Sequence, residues 1–259
     1  MCLAIVALDA HPRYALVVAA NRDEYHARPT EAAHWWNDEG AGIPILAGRD
    51  LKAGGTWLGV TRSGRWAFVT NVRQGLQRDL RAPSRGLLVP RVLRDANDPH
   101  TALVAAIAAA SQYNGFNLMA GDVAAASWGS NRGEPGARLG KGVHGLSNAE
   151  LDTPWPKLMR TKSGVSAWAA AGREDIDALV ALLGDRNRAR DDELPNTGVS
   201  VEWERVLSAP FITGENYGTR CSTVVTICRE GKARLIEQSF GARGEPTTRV
   251  EMSFTVTKP

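Results

Sequence analysis

The chain opens on two apolar runs separated by a polar turn. Met1-Cys2-Leu3-Ala4-Ile5-Val6-Ala7-Leu8 and Tyr14-Ala15-Leu16-Val17-Val18-Ala19-Ala20 have the length of buried strands, and Asp9-Ala10-His11-Pro12-Arg13 joins them. Asn21-Arg22-Asp23-Glu24 then reads as a polar turn closing the stretch. In an antiparallel hairpin the end of the second strand lies beside the start of the first. That geometry is expected to carry Arg22 and Asp23 back toward Cys2.

The rest of the chain alternates between strand and helix patterns. Residues 25–36 read as irregular, because Arg28-Pro29 bars a helix. Short strands are expected over 44–50, 56–61 and 65–71, the last two joined by a turn at Ser63-Gly64. Helical spacing appears over 85–95, and again over 101–112 after an Asp98-Pro99 cap that Asn114-Gly115 terminates. Strands follow over 116–121 and 125–130, and Val143 to Asn148 ends on an asparagine. Thr153-Pro154-Trp155-Pro156 reads as a helix entry, with helices over 157–170 and 174–183. Residues 184–198 are charged and read as an exposed loop. A three-strand meander over 219–228, 234–240 and 250–256 completes the chain. Strands thus flank a helical block, which suits α+β layers better than a doubly wound parallel sheet. No repeat or long linker divides the 259 residues, so one domain is expected.

Composition narrows the function classes. The chain is 43% hydrophobic and 23% charged with a formal net charge of +3, the profile of an ordinary globular protein. Its basic stretches are interleaved with apolar or acidic residues, so nucleic acid is not an expected partner. No apolar run approaches the roughly 18 residues of a membrane span. The start of the chain also lacks the basic leader and small-residue cleavage site of a secretory signal, and a cytoplasmic location is expected. The three cysteines form neither a disulfide framework nor a zinc pattern, and no cofactor or metal is called for.

Cys2 carries the sharpest chemistry. Removal of Met1 would leave it a free α-amine of pKa about 7.7 beside a thiol of pKa about 8.5, a base and a nucleophile in one residue. Arg22 would lower the thiol pKa and Asp23 would hold the amine. The plainer alternative makes Cys2 a packing residue and Asn21 to Glu24 a polar turn.

The chain resembles the NRDE family, named for Asn21-Arg22-Asp23-Glu24, and looks like a bacterial member of it. The resemblance extends from Met1-Cys2 and Ala19-Ala20 through Gly54-Gly55-Thr56-Trp57-Leu58-Gly59, Thr70-Asn71 and Tyr113-Asn114-Gly115-Phe116-Asn117-Leu118. It continues through Asn131-Arg132-Gly133-Glu134-Pro135, Gly145-Leu146-Ser147-Asn148, Thr153-Pro154-Trp155 and Tyr217-Gly218-Thr219-Arg220. The family in turn is similar to the N-terminal-nucleophile (Ntn) hydrolases, so the resemblance implies a four-layer αββα sandwich. It implies that Cys2 attacks an amide, that Arg22 and Asp23 flank it, that Asn71 and Asn148 hold the oxyanion, and that Arg220 assists. One departure is visible. In the cysteine amidases two residues separate the Arg from the Asp, whereas here they are adjacent and would point to opposite faces of a continuing strand.

A ligand cleft is therefore expected at Cys2 and the Asn21-Arg22-Asp23-Glu24 motif, with Trp57 and Trp155 as walls. Its occupant would be an amide or thioester substrate. The resemblance also implies a carrier, for haem or for acyl-coenzyme A. Haem would need an axial ligand, for which His26, His34, His144 or the Cys2 thiolate are candidates. Acyl-coenzyme A would need a phosphate partner, for which Arg22 and Arg132 are candidates. A plain scaffold is the third alternative, and the oligomeric state is open.

Overall fold

A computed structural model describes residues 3–36, 42–73, 75 and 79–257. Thirteen strands occur among them: β1 (Leu3–Leu8), β2 (Tyr14–Tyr25), β3 (Thr30–Trp36), β4 (Ile45–Asp50), β5 (Leu58–Thr61), β6 (Trp66–Asn71), β7 (Phe116–Gly121), β8 (Ala126–Ser130), β9 (Ala137–Leu139), β10 (Gly142–Leu146), β11 (Tyr217–Cys228), β12 (Lys232–Phe240) and β13 (Pro246–Thr255). The helices are α1 (Leu88–Leu93), α2 (Pro99–Ala108), α3 (Pro156–Ala170), α4 (Ile176–Leu183) and α5 (Val201–Leu207). The strands form two antiparallel sheets, ordered β10-β1-β2-β11-β12-β13 and β3-β4-β5-β6-β7-β8-β9.

Period-two alternation sorts the side chains into three buried layers. Leu16, Val18 and Ala20 of β2 meet Leu58, Val60, Trp66 and Phe68 between the sheets. Val17 and Ala19 turn the other way and pack with Leu158, Val165 and Trp168 of α3 and Leu179 of α4. On the far side of the second sheet, Ala67, Val69 and Leu118 pack under Leu88 and Val92 of α1 and Leu103 of α2. The order is helix, sheet, sheet, helix. This is the α+β four-layer αββα sandwich expected from the sequence.

Several element expectations are corrected. The Asn21-Arg22-Asp23-Glu24 motif is no turn, because β2 runs on to Tyr25 and pairs with β11 as far as Tyr217. Residues 30–36 are strand, paired with β4, where irregular chain was expected. The helix after Asp98 ends at Ala108, although its predicted cap holds: the Asp98 carboxylate accepts from the N–H groups of His100 and Thr101. Strand β9 and helix α5 had no clear sequence signal. β9 is only three residues long, and α5 carries exposed Val201 and Trp203.

One buried carboxyl ties the sheets together. The β3–β4 register shifts between Glu31 and His34, and the N–H of Ala33 donates instead to Glu237 of β12, at 2.8 Å. Thr223 Oγ1 donates to the other oxygen of Glu237 at 3.0 Å. Burial pushes the Glu237 pKa above its ordinary 4.5, against the opposing pull of these hydrogen bonds and of Arg22. The folded protein therefore holds this proton more tightly than the unfolded chain. Its contribution to stability is full at acid pH and falls as pH rises above 4.5 through the folded-state value. Glu237→Gln removes that dependence, so urea unfolding should show the variant gaining on the wild type as pH rises from 4.5 toward neutrality. A difference that is flat across this range would contradict the assignment.

Candidate functional site

The sequence Ala20-Asn21-Arg22-Asp23-Glu24 places alternate side chains on opposite faces of β2. Asn21 turns toward the α3–α4 layer, where its amide donates to the carbonyls of Leu183 (2.8 Å) and Pro210 (2.9 Å). Its oxygen accepts from Ser222 Oγ at 2.6 Å. Asp23 is buried and accepts from Thr219 Oγ1 at 2.7 Å. Arg22 turns the other way, into the space between the sheets. It donates to Thr30 Oγ1 at 3.2 Å, and its guanidinium carbon lies 4.6 Å from the centre of the Trp57 ring. Because the strand does not end at the motif, Arg22 and Asp23 do not share a face.

Arg22 lines a cavity of about 270 Å³ together with Glu24, Arg28, Asp50, Lys52, Trp57, Asn71, Arg85 and Asn114, among others. Glycines set its walls. A Cβ on Gly48 would come within 2.4 Å of the Trp57 ring, so only glycine leaves room for that indole. A Cβ on Gly55 would come within 2.4 Å of the Gly86 carbonyl oxygen, which the N–H of Thr56 reaches at 3.1 Å. The Gly54-Gly55-Thr56-Trp57 run thus seats the Trp57 wall against the 85–87 turn.

The cavity is electropositive. Arg28 is held by Asp50 through two hydrogen bonds of 2.9 and 2.6 Å, and Glu24 lies 3.9 Å from the same guanidinium. The Asp50 bonds raise the Arg28 pKa. Arg22, Lys52 and Arg85 add three further cations, so four cationic side chains face two carboxylates. That balance favours an anionic ligand group.

Asn71 and Asn148 are brought together at the rim. The Asn148 amide donates to the Asn71 carbonyl at 2.9 Å, and Asn71 is one of the residues lining the cavity. Arg73 holds Asn148 twice, through its N–H to the Asn148 carbonyl (2.8 Å) and its guanidinium to Oδ1 (3.3 Å). Arg73 is itself paired with buried Glu204 of α5 at 2.8 Å and stacked 4.9 Å from the centre of the Trp155 ring. Glu204 also accepts from the N–H and hydroxyl of Thr197, at 2.9 and 2.5 Å. Trp155 therefore acts on the rim through Arg73.

The other expected residues fall elsewhere. Cys2 lies outside the described residues; Leu3, to which it is bonded, pairs with Asn21. Arg220 sits at a bulge between Thr219 and Cys221, where its guanidinium donates to the carbonyls of Tyr25 (2.9 Å) and Arg28 (3.0 Å). It lines a second, smaller cavity. Arg132 is exposed in the loop after β8. His144 lies on β10 with Nε2 2.8 Å from the Gly140 carbonyl and Nδ1 3.7 Å from Asp152. Of the candidates, the larger of these two cavities collects Arg22, Glu24, Trp57 and Asn71. Sequence reasoning missed Arg28, Asp50, Lys52 and Arg85, whose only signals were the Arg28-Pro29 break and the polar ends of the 44–50 and 85–95 elements.

Two antiparallel sheets between helix layers, with Arg22 and the strand-end asparagines at one edge, make this an Ntn-hydrolase-like fold. The conjugated bile acid hydrolase from Clostridium perfringens superposes with a TM-score of 0.52 over 99% of this chain and 98% of that one, at 9% identity. A Caenorhabditis elegans ortholog of N-acylethanolamine-hydrolyzing acid amidase gives 0.50 over 86% and 92%, at 12% identity. Identities this low speak for the fold alone. In sequence, the Transport and Golgi organisation 2 family matches residues 1–242, and the chain belongs to that family. It is 36% identical to the Bos taurus Transport and Golgi organization protein 2 homolog and 34% identical to the Homo sapiens one, covering 93% of each chain in both cases.

The Arg73–Glu204 pair supports the rim through buried charge, and removing one partner of such a pair leaves the other uncompensated. Glu204→Gln should cost about 3 kcal/mol in urea unfolding, with Arg73→Gln costing a similar amount and the double variant costing less than the sum. Additive losses would mean that the two residues act independently.

Proposed function

We propose that the chain is an N-terminal cysteine hydrolase that acts on an amide or thioester carrying a negative charge. The observation that supports this reading is the electropositive cavity lined by both Arg22 and Asn71, beside the strand pair that joins Leu3 to Asn21. With Met1 removed, the Cys2 thiolate attacks the substrate carbonyl and its α-amine takes up the thiol proton. The Asn71 side chain supplies a donor for the oxyanion. The proton passes to the leaving amine or thiol, and water then hydrolyses the acyl-enzyme thioester. Arg22, fixed over Trp57, holds the anionic end of the substrate.

The same positive charge suits a carrier of an anionic thioester such as acyl-coenzyme A, which would bind without turnover. Haem carriage draws less support. The cavity is polar, and its volume of about 270 Å³ lies below the roughly 300–1,000 Å³ of larger ligand sites. The candidate histidines are engaged by backbone carbonyls: His26 by Gly214 at 3.2 Å, His34 by Ala32 at 2.9 Å and His144 by Gly140 at 2.8 Å.

A panel of aryl amides and thioesters, with and without a carboxylate, tests the reading. The wild type should prefer the charged members. Cys2→Ala should lower kcat by about a thousandfold or more, and Asn71→Ala by about 100- to 1000-fold. A purified protein whose intact mass still includes Met1, or a Cys2→Ala variant that keeps its turnover, would overturn it. Binding that survives Cys2→Ala when the wild type shows no turnover would favour the carrier.

A further inference from the structure

Strand β13 ends its sheet and, among the described residues, has a strand neighbour on one side only, β12. The hydrogen bonds that follow it tell its two edges apart. The N–H of Val256 donates to the Gly231 carbonyl on the β12 side at 2.8 Å, whereas the next N–H, of Thr257, leaves the ladder for the Arg62 carbonyl at 2.9 Å. Alternation carries this pattern back along the strand, because the β12 register is unbroken from Thr255 to Arg249. Even-numbered residues therefore turn their backbone groups to β12. Arg249, Glu251, Ser253 and Thr255 turn theirs to the open edge.

The side chains alternate as well. Val250, Met252 and Phe254 are half-buried at the margin of the core between the sheets. Arg249 and Glu251 lie on the outer face, where Arg249 meets Asp177 of α4 at 2.5 Å and Glu251 at 2.9 Å, and Glu251 meets Arg234 at 2.6 Å. The Arg249 and Glu251 side chains stay 35% and 42% exposed, so these pairs hold the charges only weakly. An edge whose charges are all alike repels a copy of itself. Here the two charges are opposite in sign and flank Val250. Under a two-fold axis through Val250 the arrangement is its own complement: Arg249 of each copy faces Glu251 of the other, and both offer backbone groups to the shared edge. Axes through Arg249 or Glu251 set like charges opposite. One through Met252 sets Arg249 against Thr255 and Glu251 against Ser253, with no charge paired.

We infer that β13 is a self-pairing edge, where two copies of the chain join in antiparallel register about Val250. Their sheets then run on as one. Backbone groups that only water serves in the single chain gain partners, and Val250 and Met252 are covered on their open side. One strand per copy is a small contact, so exchange between one chain and two is expected at micromolar concentration. The assignment does not depend on whether Cys2 reacts.

Sedimentation velocity of the full chain, over about 1 to 100 µM in low salt, tests this. The mean mass should rise from one chain toward two, and fall back as added sodium chloride screens the pairs. Arg249→Glu sets carboxylates opposite each other, and Glu251→Arg sets guanidiniums opposite, so each variant alone should lose about tenfold in self-affinity. An equimolar mixture of the two variants restores both opposite-charge pairs and should associate as the wild type does. Both changes are at exposed side chains, and far-UV circular dichroism should match the wild type. Glu251→Pro removes an N–H that points away from β12, and should abolish pairing while the fold is kept. If that variant fails to fold, the charge variants decide. A wild type that stays a single chain throughout overturns the proposal. So does a dimer that survives in folded Glu251→Pro, or a mixture that associates no better than its components.

Discussion

The site depends on the unbroken alternation of β2. Twelve residues of strand carry the chain from the apolar centre of the sandwich to its polar end without a change of period. Leu16, Val18 and Ala20 therefore commit Arg22 and Glu24 to the space between the sheets, and Val17 and Ala19 commit Asn21 and Asp23 to the helix side. A register slip of one residue would exchange these roles and bury a guanidinium against α3 and α4. The pairing of β1 on one side and β11 on the other fixes the register from both edges.

That division gives the four residues of the motif separate duties. Asn21 and Asp23 satisfy buried hydrogen-bonding groups of the 183–219 segment, which would otherwise meet no water. Arg22 does the reverse, turning its charge to the Trp57 face and one hydroxyl, with no carboxylate among its hydrogen-bond partners in the described residues. A cation so placed retains much of its field for whatever enters the cavity. Arg28, locked to Asp50, has less to give and serves mainly to shape the wall.

Much of the sandwich was legible in the sequence, because its strands are short apolar blocks bounded by turn residues and its main helices carry apolar stripes. The opening hairpin, the pair joined at Ser63-Gly64 and the closing meander all follow from that pattern. The errors have physical causes. The motif looked like a turn because four consecutive polar residues usually lie in loops, whereas here each face of β2 supplies polar partners. Strand β3 was hidden by its bulge and by a composition suited to a sheet edge. For the site, the sequence marked Arg22, Trp57 and Asn71, which end or begin recognisable strands. It could not mark Arg28, Asp50, Lys52 or Arg85, since their convergence depends on how three separate segments meet.

The two cavities share an origin that the strands record jointly. Along the layer between the sheets, Ala20 gives way to Arg22, Val225 to Thr223, Leu235 to Glu237, Phe68 to Thr70 and Met119 to Asn117. Each change occurs two residues beyond an apolar position, and all five lie toward the same end of the sandwich. Thr70 and Asn117 face each other across β6 and β7, joined at 3.2 Å. Apolar packing alone would close this end of the sandwich as tightly as its centre. Polar side chains instead need directed partners, and the geometry of those bonds leaves space that hydrocarbon would fill. Trp57, a wall of both cavities, is admitted only by the missing Cβ of Gly48. A core becomes a site here through a change of residue type along a fixed strand, with no change in the fold that carries it.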